Sequence, residues 1–112
     1  MTTYEFGDVV LVAFPQSGTS VRKRRPALVI LDIGNADVVL APLTTRARAG
    51  PGDAALREWA ASGLLRASWV RLAKLACLAK DDITRHLGHL TNDEQAGLVA
   101  LWQAVYTFAP RP

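Results

Sequence analysis

The chain has few of the residues that build disulfides, zinc sites or membrane spans. Cys77 is its single cysteine, which excludes an intrachain disulfide and a cysteine-rich zinc site. Because Cys77 lies in the apolar stretch Leu75–Ala79, we expect a buried and inert thiol. No apolar run approaches the roughly 18–20 residues that span a bilayer, and the N-terminus lacks a signal-peptide pattern. We therefore expect a soluble, cytoplasmic protein.

The charge balance excludes neither nucleic acids nor other partners. Lys and Arg number 13 against 10 Asp and Glu, which gives a formal net charge of +3. A mildly basic chain can bind nucleic acid, but this composition does not require it. The length of 112 residues, half of them hydrophobic, predicts a single domain over residues 1–112 with a sizeable core.

Four consecutive cations, Arg22 to Arg25, stand directly before Pro26 and the apolar run Ala27–Leu31. Such a cluster cannot be buried unpaired, because the desolvation of each charge is too costly. The apolar run predicts a buried strand, and Pro26 suits its beginning because proline has no N–H to donate to a ladder. The polar stretch 16–20 before the cations is predicted to be a loop. The sequence thus places a dense positive patch at the mouth of a rigid strand, which suits a phosphate-bearing ligand.

Apolar runs separated by turn signals predict a mainly β protein. Three strands joined by short loops indicate an antiparallel meander or a small barrel, with Pro42 at an edge or a bend. Asp53 is expected to cap a short helix that Gly63 ends. The predicted elements are strands at Val9–Phe14, Pro26–Leu31, Val38–Thr44, Ser68–Leu72 and Leu75–Leu78, a helix at Ala54–Ala61, a turn at Asp81–Ile83 and an extended piece at Gly88–Leu90.

The C-terminal segment has the pattern of an amphipathic helix. Thr91 to Glu94 form a capping box, in which Thr91 is the N-cap and Glu94 reaches back to it. Apolar residues then recur at helical spacing and predict a helix over about residues 92–107. Its apolar stripe, which should pack on the sheet or on a second subunit, consists of Leu98, Leu101, Trp102 and Val105.

Several short motifs follow one another in a distinctive order over nearly the whole chain. They are Gly7–Val12, Arg24–Val29, Ala41–Thr45, Ser68–Arg71 and Ile83–Leu90. Together they resemble the MazF/PemK family of toxins. The resemblance implies an SH3-like antiparallel barrel, shared with the CcdB proteins, with a C-terminal helix and assembly into a homodimer.

The same resemblance implies the toxin of a type II toxin–antitoxin pair. Such a toxin is a metal-independent, sequence-specific endoribonuclease, an mRNA interferase, that cleaves single-stranded RNA, so the resemblance implies neither a metal nor a cofactor. The partners implied are RNA and a separate MazE-like antitoxin, whose acidic, flexible C-terminal segment covers the RNA groove.

The resemblance assigns catalytic roles to Arg25 and Thr44. Metal-free cleavage lets the neighbouring 2′-OH attack the phosphorus and leaves a cyclic phosphate and a 5′-OH. Arg25 matches the family's arginine before proline. Because a guanidinium keeps its proton, Arg25 suits phosphate binding and transition-state stabilisation better than general-base catalysis. Thr44 matches the family's strand-end threonine, whose hydroxyl can donate to a nonbridging phosphate oxygen.

Other cations are candidates for RNA contacts, since contacts to phosphates position a strand without reading its sequence. Arg71 matches an arginine of a family motif, with a cross-strand ion pair as its alternative role. Some relatives carry an acidic residue two positions later, proposed as general base, but this chain has Ala73, so no general base is assigned. The RNA-binding candidates are Arg22, Lys23, Arg24, Thr45, Arg46, Arg48, Arg71 and Lys74.

Two alternatives to the nuclease stay open at this point. One is a CcdB-like toxin that poisons DNA gyrase without cutting RNA, and the other is an inactive RNA- or protein-binding module of the same fold. Trp69 can stack on a base or pack in the core, whereas His86 and His89 are expected to be surface residues. The sequence does not define the RNA sequence that is cut, the class of RNA or the identity of the antitoxin.

Overall fold

The computed structural model describes residues 2–15, 22–108 and 110, so the predicted loop over residues 16–20 lies outside the described residues. Within these ranges the chain forms strands, a 3₁₀ turn at Lys80–Asp82 and a C-terminal helix. The elements are β1 (Asp8–Pro15), β2 (Arg22–Leu31), β3 (Asp37–Thr44), β4 (Asp53–Ala55), β5 (Trp69–Arg71), β6 (Ala76–Ala79), β7 (Ile83–His89) and α1 (Asn92–Val105). The predicted class, mainly antiparallel β with one C-terminal helix, is confirmed.

All strand pairs in the described residues are antiparallel, in the order β4-β5-β3-β2-β1-β7, with β6 paired to β3 beside this path. Strand β3 changes partners along its length, because β6 pairs with Asp37–Leu40 and β5 with Leu43 and Thr44. Pro42 lies between the two pairings and has no N–H to give to a ladder. The bend predicted at Pro42 therefore coincides with the point where the sheet divides.

Strand β2 begins earlier than its apolar run predicts. It includes the cations from Arg22 onward, so Pro26 lies inside the strand rather than at its start. The pairing of β2 with β3 stops at Ala27, whereas its pairing with β1 continues to Arg22. From Pro26 toward Arg22 one side of β2 is therefore a free edge, where proline is tolerated and charged side chains remain solvated.

The helix predicted at Ala54–Ala61 is wrong. Residues 53–55 form β4, which pairs with β5, and the residues from 57 to 63 form turns. Asp53 does not cap a helix, since its carboxylate binds Arg71 across the two strands. Local helix propensity is a weak preference, and here strand pairing overrides it.

Helix α1 covers the larger of two apolar cores. Leu98 is buried with residues of β1, β2, β3 and β5, while Leu101 and Trp102 pack against this cluster. Thr91 caps the helix as predicted, because its hydroxyl accepts a hydrogen bond from the Glu94 N–H at 3.3 Å. The capping box is only half formed, since the buried Glu94 carboxylate accepts instead from the Glu58 N–H at 2.7 Å. Glu94 thereby ties the loop after β4 to the helix.

The prediction of a buried Cys77 is wrong, because its side chain is exposed. Strand β6 alternates, so that Ala76 and Leu78 are partly buried while Cys77 points outward opposite Val39. No helix among the described residues has the length and apolarity needed to cross a membrane.

Asp32 anchors the turn between β2 and β3. Its buried carboxylate accepts hydrogen bonds from the Tyr4 N–H at 2.7 Å and the Gly34 N–H at 2.8 Å, and it lies 2.9 Å from the Lys80 ammonium. The Tyr4 N–H above all, then Lys80 and the Gly34 N–H, lower the pKa of Asp32 to about 2. This carboxylate therefore joins the N-terminal segment, the β2–β3 turn and the 3₁₀ turn.

Candidate functional site

Arg25 and Thr44 lie on adjacent strands in one row of the sheet. The ladder between β2 and β3 pairs Leu28 with Ala41 and Ala27 with Pro42. The ladder ends at the pair Ala27 and Pro42, and strand alternation places Arg25 on the face of Ala27 and Thr44 on the face of Pro42, each two residues beyond this last pair. Directly opposite residues of an antiparallel pair share a face, so both side chains lie on one face of the sheet. The two residues predicted to be catalytic thus lie on one face, beyond the same end of the β2–β3 ladder, although 19 positions separate them in sequence.

The hydroxyl of Thr44 is oriented by the turn that follows β3. The oxygen accepts a hydrogen bond from the Arg46 N–H at 3.2 Å. A hydroxyl has one donor and two acceptor sites, so its hydrogen remains available for a ligand oxygen. Arg25 is exposed on the same face. An exposed cation and a hydroxyl group are together suited to a phosphate group.

The ladders extend this row toward β5 and β4. Thr44 pairs with Trp69, and Asp53 pairs with Arg71 two residues farther along β5. The neighbours of Arg71 along the strand, Val70 and Leu72, are buried in the larger core, so Arg71 and Trp69 lie on the opposite face, with Thr44. Arg71 forms the cross-strand ion pair that the sequence predicts as its alternative role, with 3.2 Å between its Nε and Asp53 Oδ1.

The cations at the start of β2 have different surroundings. Arg22 forms an ion pair with Asp82 of the 3₁₀ turn, whereas Lys23 and Arg24 are exposed. By strand alternation Lys23 shares the face of Arg25, and Arg24 shares the opposite face with Pro26. The four cations are therefore divided between two faces of β2, and Lys23 is the one that shares a face with Arg25 and Thr44.

The remaining RNA-binding candidates lie on turns next to the row. Thr45, Arg46 and Arg48 are exposed in the segment after β3, and Lys74 is exposed in the turn between β5 and β6. These two turns are joined, because the Leu72 N–H donates to the Gly52 carbonyl at 2.8 Å. The loop cations thus surround the end of the sheet where β3 and β5 meet.

A groove of about 470 Å³ adjoins this end of the sheet. It contains two arginines, Arg66 and Arg85, that the sequence analysis did not single out. Arg85 lies on β7, opposite Leu11 of β1. A sequence prediction of β7 with the correct bounds would have identified Arg85 by strand alternation. The groove is lined by Leu11, Pro26, Thr45, Gly63, Leu64, Leu65, Arg66, Ser68, Arg85 and Leu87.

An apolar cleft of about 490 Å³ lies between α1 and the sheet. Leu31 and Val99, two of its lining residues, are exposed to 53% and 44%, so large aliphatic side chains of the cleft are open to solvent. The cleft is lined by Phe6, Ile30, Leu31, Val39, Leu72, Leu98, Val99, Trp102 and Gln103.

The two histidines lie on β7, away from the row. Both are exposed, as expected, and His86 Nε2 lies 3.3 Å from a carboxylate oxygen of Asp8. Among the residues that the structure describes, no three His, Cys, Asp or Glu side chains are grouped so that they could hold a metal ion.

This arrangement defines a small, mainly antiparallel β protein with one C-terminal helix and a strand face that carries cations and a hydroxyl group. A family model described as PemK-like, MazF-like toxin of type II toxin–antitoxin systems matches residues 5–101. The chain belongs to this toxin family.

Solved structures with the same fold include proteins from Mycobacterium and from Deinococcus. An endoribonuclease from a mycobacterial species is 22% identical, with a TM-score of 0.75 over 100% of this chain and 98% of that chain. A mycobacterial endoribonuclease in complex with its cognate antitoxin is 22% identical, with a TM-score of 0.73 over 96% and 97%. MazF from Deinococcus radiodurans is 22% identical, with a TM-score of 0.71 over 93% and 96%. No curated protein sequence matches the chain.

Proposed function

We propose that this toxin is a metal-independent endoribonuclease that cleaves single-stranded RNA by attack of the 2′-OH on the adjacent phosphorus. The observation that carries the proposal is the row formed by Arg25 and Thr44 on one face of β2 and β3. The family and the names of the structural relatives are consistent with this activity.

Arg25 and Thr44 would stabilise the charge that develops at the phosphorus. The Arg25 guanidinium binds two phosphate oxygens, and the Thr44 hydroxyl donates to a nonbridging oxygen. Both interactions strengthen as the pentacoordinate transition state gains negative charge, so they lower the barrier rather than only bind substrate. Arg25 also suits protonation of the leaving 5′ oxygen. The general base remains unassigned.

The surrounding cations would hold the rest of the RNA strand. Lys23 on β2, and Arg46 and Arg48 after β3, are exposed near the row, whereas Arg24 is exposed on the opposite face, with Pro26 of the groove. They can bind phosphates of any sequence, while base selection depends on the groove beside them. Arg22 is less available, because it is paired with Asp82.

The same cations make this surface suitable for an antitoxin. An acidic, flexible segment of a MazE-like protein would pair with them and exclude RNA by competition. One relative is described in complex with its cognate antitoxin, and a MazE–MazF complex from Deinococcus radiodurans has the same fold with a TM-score of 0.72. We propose the same type of partner for this chain.

The proposed function is tested by incubating the purified protein with a long unstructured RNA in EDTA and mapping the cut ends. We expect discrete cuts that leave a 5′-OH. Arg25→Ala should lose about 10³-fold or more of the cleavage rate, on the scale of removing a transition-state arginine. The matched control is Arg57→Ala. Arg57 is exposed on the loop after β4, next to Glu58, whose N–H donates to Glu94 of α1.

The control variant should cut at the parental rate. A parent protein that does not cut RNA, or an Arg25→Ala variant that cuts as fast as the parent, would contradict the proposal. Inhibition of DNA gyrase by a parent that leaves RNA intact would instead identify a CcdB-like poison.

A further inference from the structure

Asp53 is a nearly buried carboxylate at the first position of β4. Its side chain is only 5% exposed, and both of its oxygens are engaged. Oδ1 accepts from Arg71 Nε at 3.2 Å, and Oδ2 accepts from the Gly50 N–H at 3.0 Å. Asp53 therefore binds a neighbouring strand on one side and its own preceding loop on the other.

The contact with Asp53 uses only part of the Arg71 guanidinium. In the described part of the chain, Nε makes the one hydrogen bond of this group, and the side chain remains 28% exposed. A guanidinium is planar and presents its donors in a rigid fork. Fixing Nε therefore fixes the plane of the group and leaves both Nη atoms free to bind a ligand.

The ladders place Arg71 beside the row of Arg25 and Thr44. Trp69 lies directly opposite Thr44, and Arg71 follows two residues later on the same face of β5. Diagonal neighbours of this kind are about 7–8 Å apart, within reach of a long side chain. The Nη donors of Arg71 therefore border the position where Arg25 and Thr44 would hold a phosphate.

We propose that Asp53 is a positioning residue that orients Arg71 to bind a second phosphate of the RNA strand, next to the phosphate at Arg25 and Thr44. This inference rests on the proposed function for the identity of the ligand. An unrestrained arginine loses rotamer freedom when it binds, whereas a guanidinium already held by Asp53 loses less. Asp53 also holds Gly50, so the same carboxylate orders the loop that carries Arg46 and Arg48.

The charge of Asp53 gives a test, because a pure charge effect and the positioning of Arg71 predict opposite changes in the affinity for RNA. Asp53→Asn raises the net charge from +3 to +4, starting from the value of the full sequence. If Asp53 acts only through its charge, this variant binds RNA more tightly. If Asp53 positions Arg71, the variant binds about 10-fold more weakly, on the scale of one charge-assisted hydrogen bond. Asp37→Asn is the matched control, because Asp37 is exposed at the other end of β3.

The experiment measures fluorescence anisotropy of a short 2′-O-methyl RNA of randomised sequence, which cannot be cut by 2′-OH attack, over a series of salt concentrations. We expect weaker binding for Asp53→Asn and tighter binding for Asp37→Asn. Arg71→Ala should lower the slope of log K against log salt by about 0.7, as for one phosphate contact on a single strand. In the Arg71→Ala background, Asp53→Asn should no longer weaken binding.

Arg71→Lys provides a second test that does not depend on the stability of the Asp53 variant. It preserves the charge but removes the fork, and we expect it to weaken binding nearly as much as Arg71→Ala. Parental binding by Arg71→Lys, tighter binding by Asp53→Asn, or equal weakening by Asp53→Asn with and without Arg71 would each overturn the inference.

Cleavage of unmodified RNA is measured separately, so the two proposals can fail independently. If the parent protein binds the 2′-O-methyl RNA but does not cut unmodified RNA, the nuclease proposal is contradicted, and the binding data still decide the role of Asp53. A parent that does not bind RNA overturns both.

Discussion

At the scale of single residues, the candidate site depends on which polar groups are already engaged. Thr44 Oγ1 accepts from the backbone, and Arg71 Nε is held by Asp53, whereas Arg25 has an exposed side chain on the same face. Partly engaged groups are oriented and still have donors to offer, which is the property that binding of a phosphate requires.

Thr44 should contribute through its hydroxyl rather than through its shape. Thr44→Val keeps the branched side chain that suits the end of β3 but removes the donor, so we expect cleavage to fall about 10²–10³-fold, as for loss of one oxyanion donor. Thr44→Ser keeps the hydroxyl and should retain most of the activity. Initial cleavage rates at saturating RNA test this prediction. Equal rates for Thr44→Val and the parent would show that the Thr44 hydroxyl has no role in cleavage.

Asp32 should make the stability of the fold depend on pH in the acid range. The pKa of Asp32 is about 2 in the folded protein, against 3.8 for an unperturbed aspartate, so its contribution to stability is fully present above about pH 4 and is lost as the pH falls toward 2. Asp32→Asn removes this dependence and leaves the buried Lys80 ammonium without its partner, which lowers stability at neutral pH.

Thermal unfolding followed by circular dichroism between pH 2 and 7 measures this effect. The difference in Tm between the parent and Asp32→Asn should be largest near neutral pH and should shrink below pH 4. Asp37→Asn, at an exposed position, is the control. A constant difference across the range would show that Asp32 does not provide the acid dependence.

At the scale of elements, the sequence predicted most strands and the helix but misread the segment after β3. Alternation and turn residues place β1, β3, β5 and β6 within one or two residues, and Thr91 marks the start of α1. The region after Asp53 has helix-forming residues, so local preference points to a helix, while the actual partner of β4 is β5. That pairing is nonlocal, and a single sequence does not reveal it.

The sequence identified residues of the candidate site but not how they are arranged. A family resemblance identifies Arg25 and Thr44, but their common row follows only from the register of β2 and β3. The partner of Arg71 is 18 residues away at Asp53, at no spacing characteristic of an ion pair within one element. Arg66 and Arg85 needed the loop geometry as well, since they line a groove between separate segments.

Strand β7 and the loop before β5 should tolerate no side chain at their contact. A Cβ on Gly88 would lie 2.5 Å from the Ser62 carbonyl oxygen, so Gly88→Ala must displace one backbone or the other. We expect a loss of about 1–3 kcal/mol in the free energy of unfolding, as for overpacking. Urea denaturation followed by tryptophan fluorescence gives this value.

Gly97→Ala is the opposite case within α1. A Cβ there has nothing within 4 Å, and alanine is the better helix former, so stability should rise by about 0.5–1 kcal/mol. Equal effects of the two substitutions would mean that the contact between Gly88 and Ser62 is loose.

At the scale of the whole molecule, the cationic and apolar surfaces are separate. Arg25 and Leu31 lie near opposite ends of β2, and the apolar cleft beside Leu31 is covered on one side by α1. The predicted homodimer would bury exposed aliphatic groups there without covering the cations. A second copy of the chain that packed on this cleft would cover the exposed side chains of Leu31 and Val99.

Val99→Asp should therefore weaken the dimer. A carboxylate in an apolar interface remains unpaired, so the variant should sediment as a monomer at concentrations where the parent is a dimer. Ala100→Asp, one residue along α1 and outside the lining of the cleft, should leave the parental mass unchanged. A Val99→Asp protein with the parental mass would place the dimer contact elsewhere.

The position of β7 beside β1 has a consequence for synthesis of the toxin. The outer edge of β1 pairs with Ile83–His89, which leave the ribosome more than 65 residues after β1 ends. Until then a long, largely apolar strand has one open edge, and such edges promote association between chains. A chain interrupted before β7 should consequently aggregate and be degraded, so that a partial translation product would not act as a weak toxin.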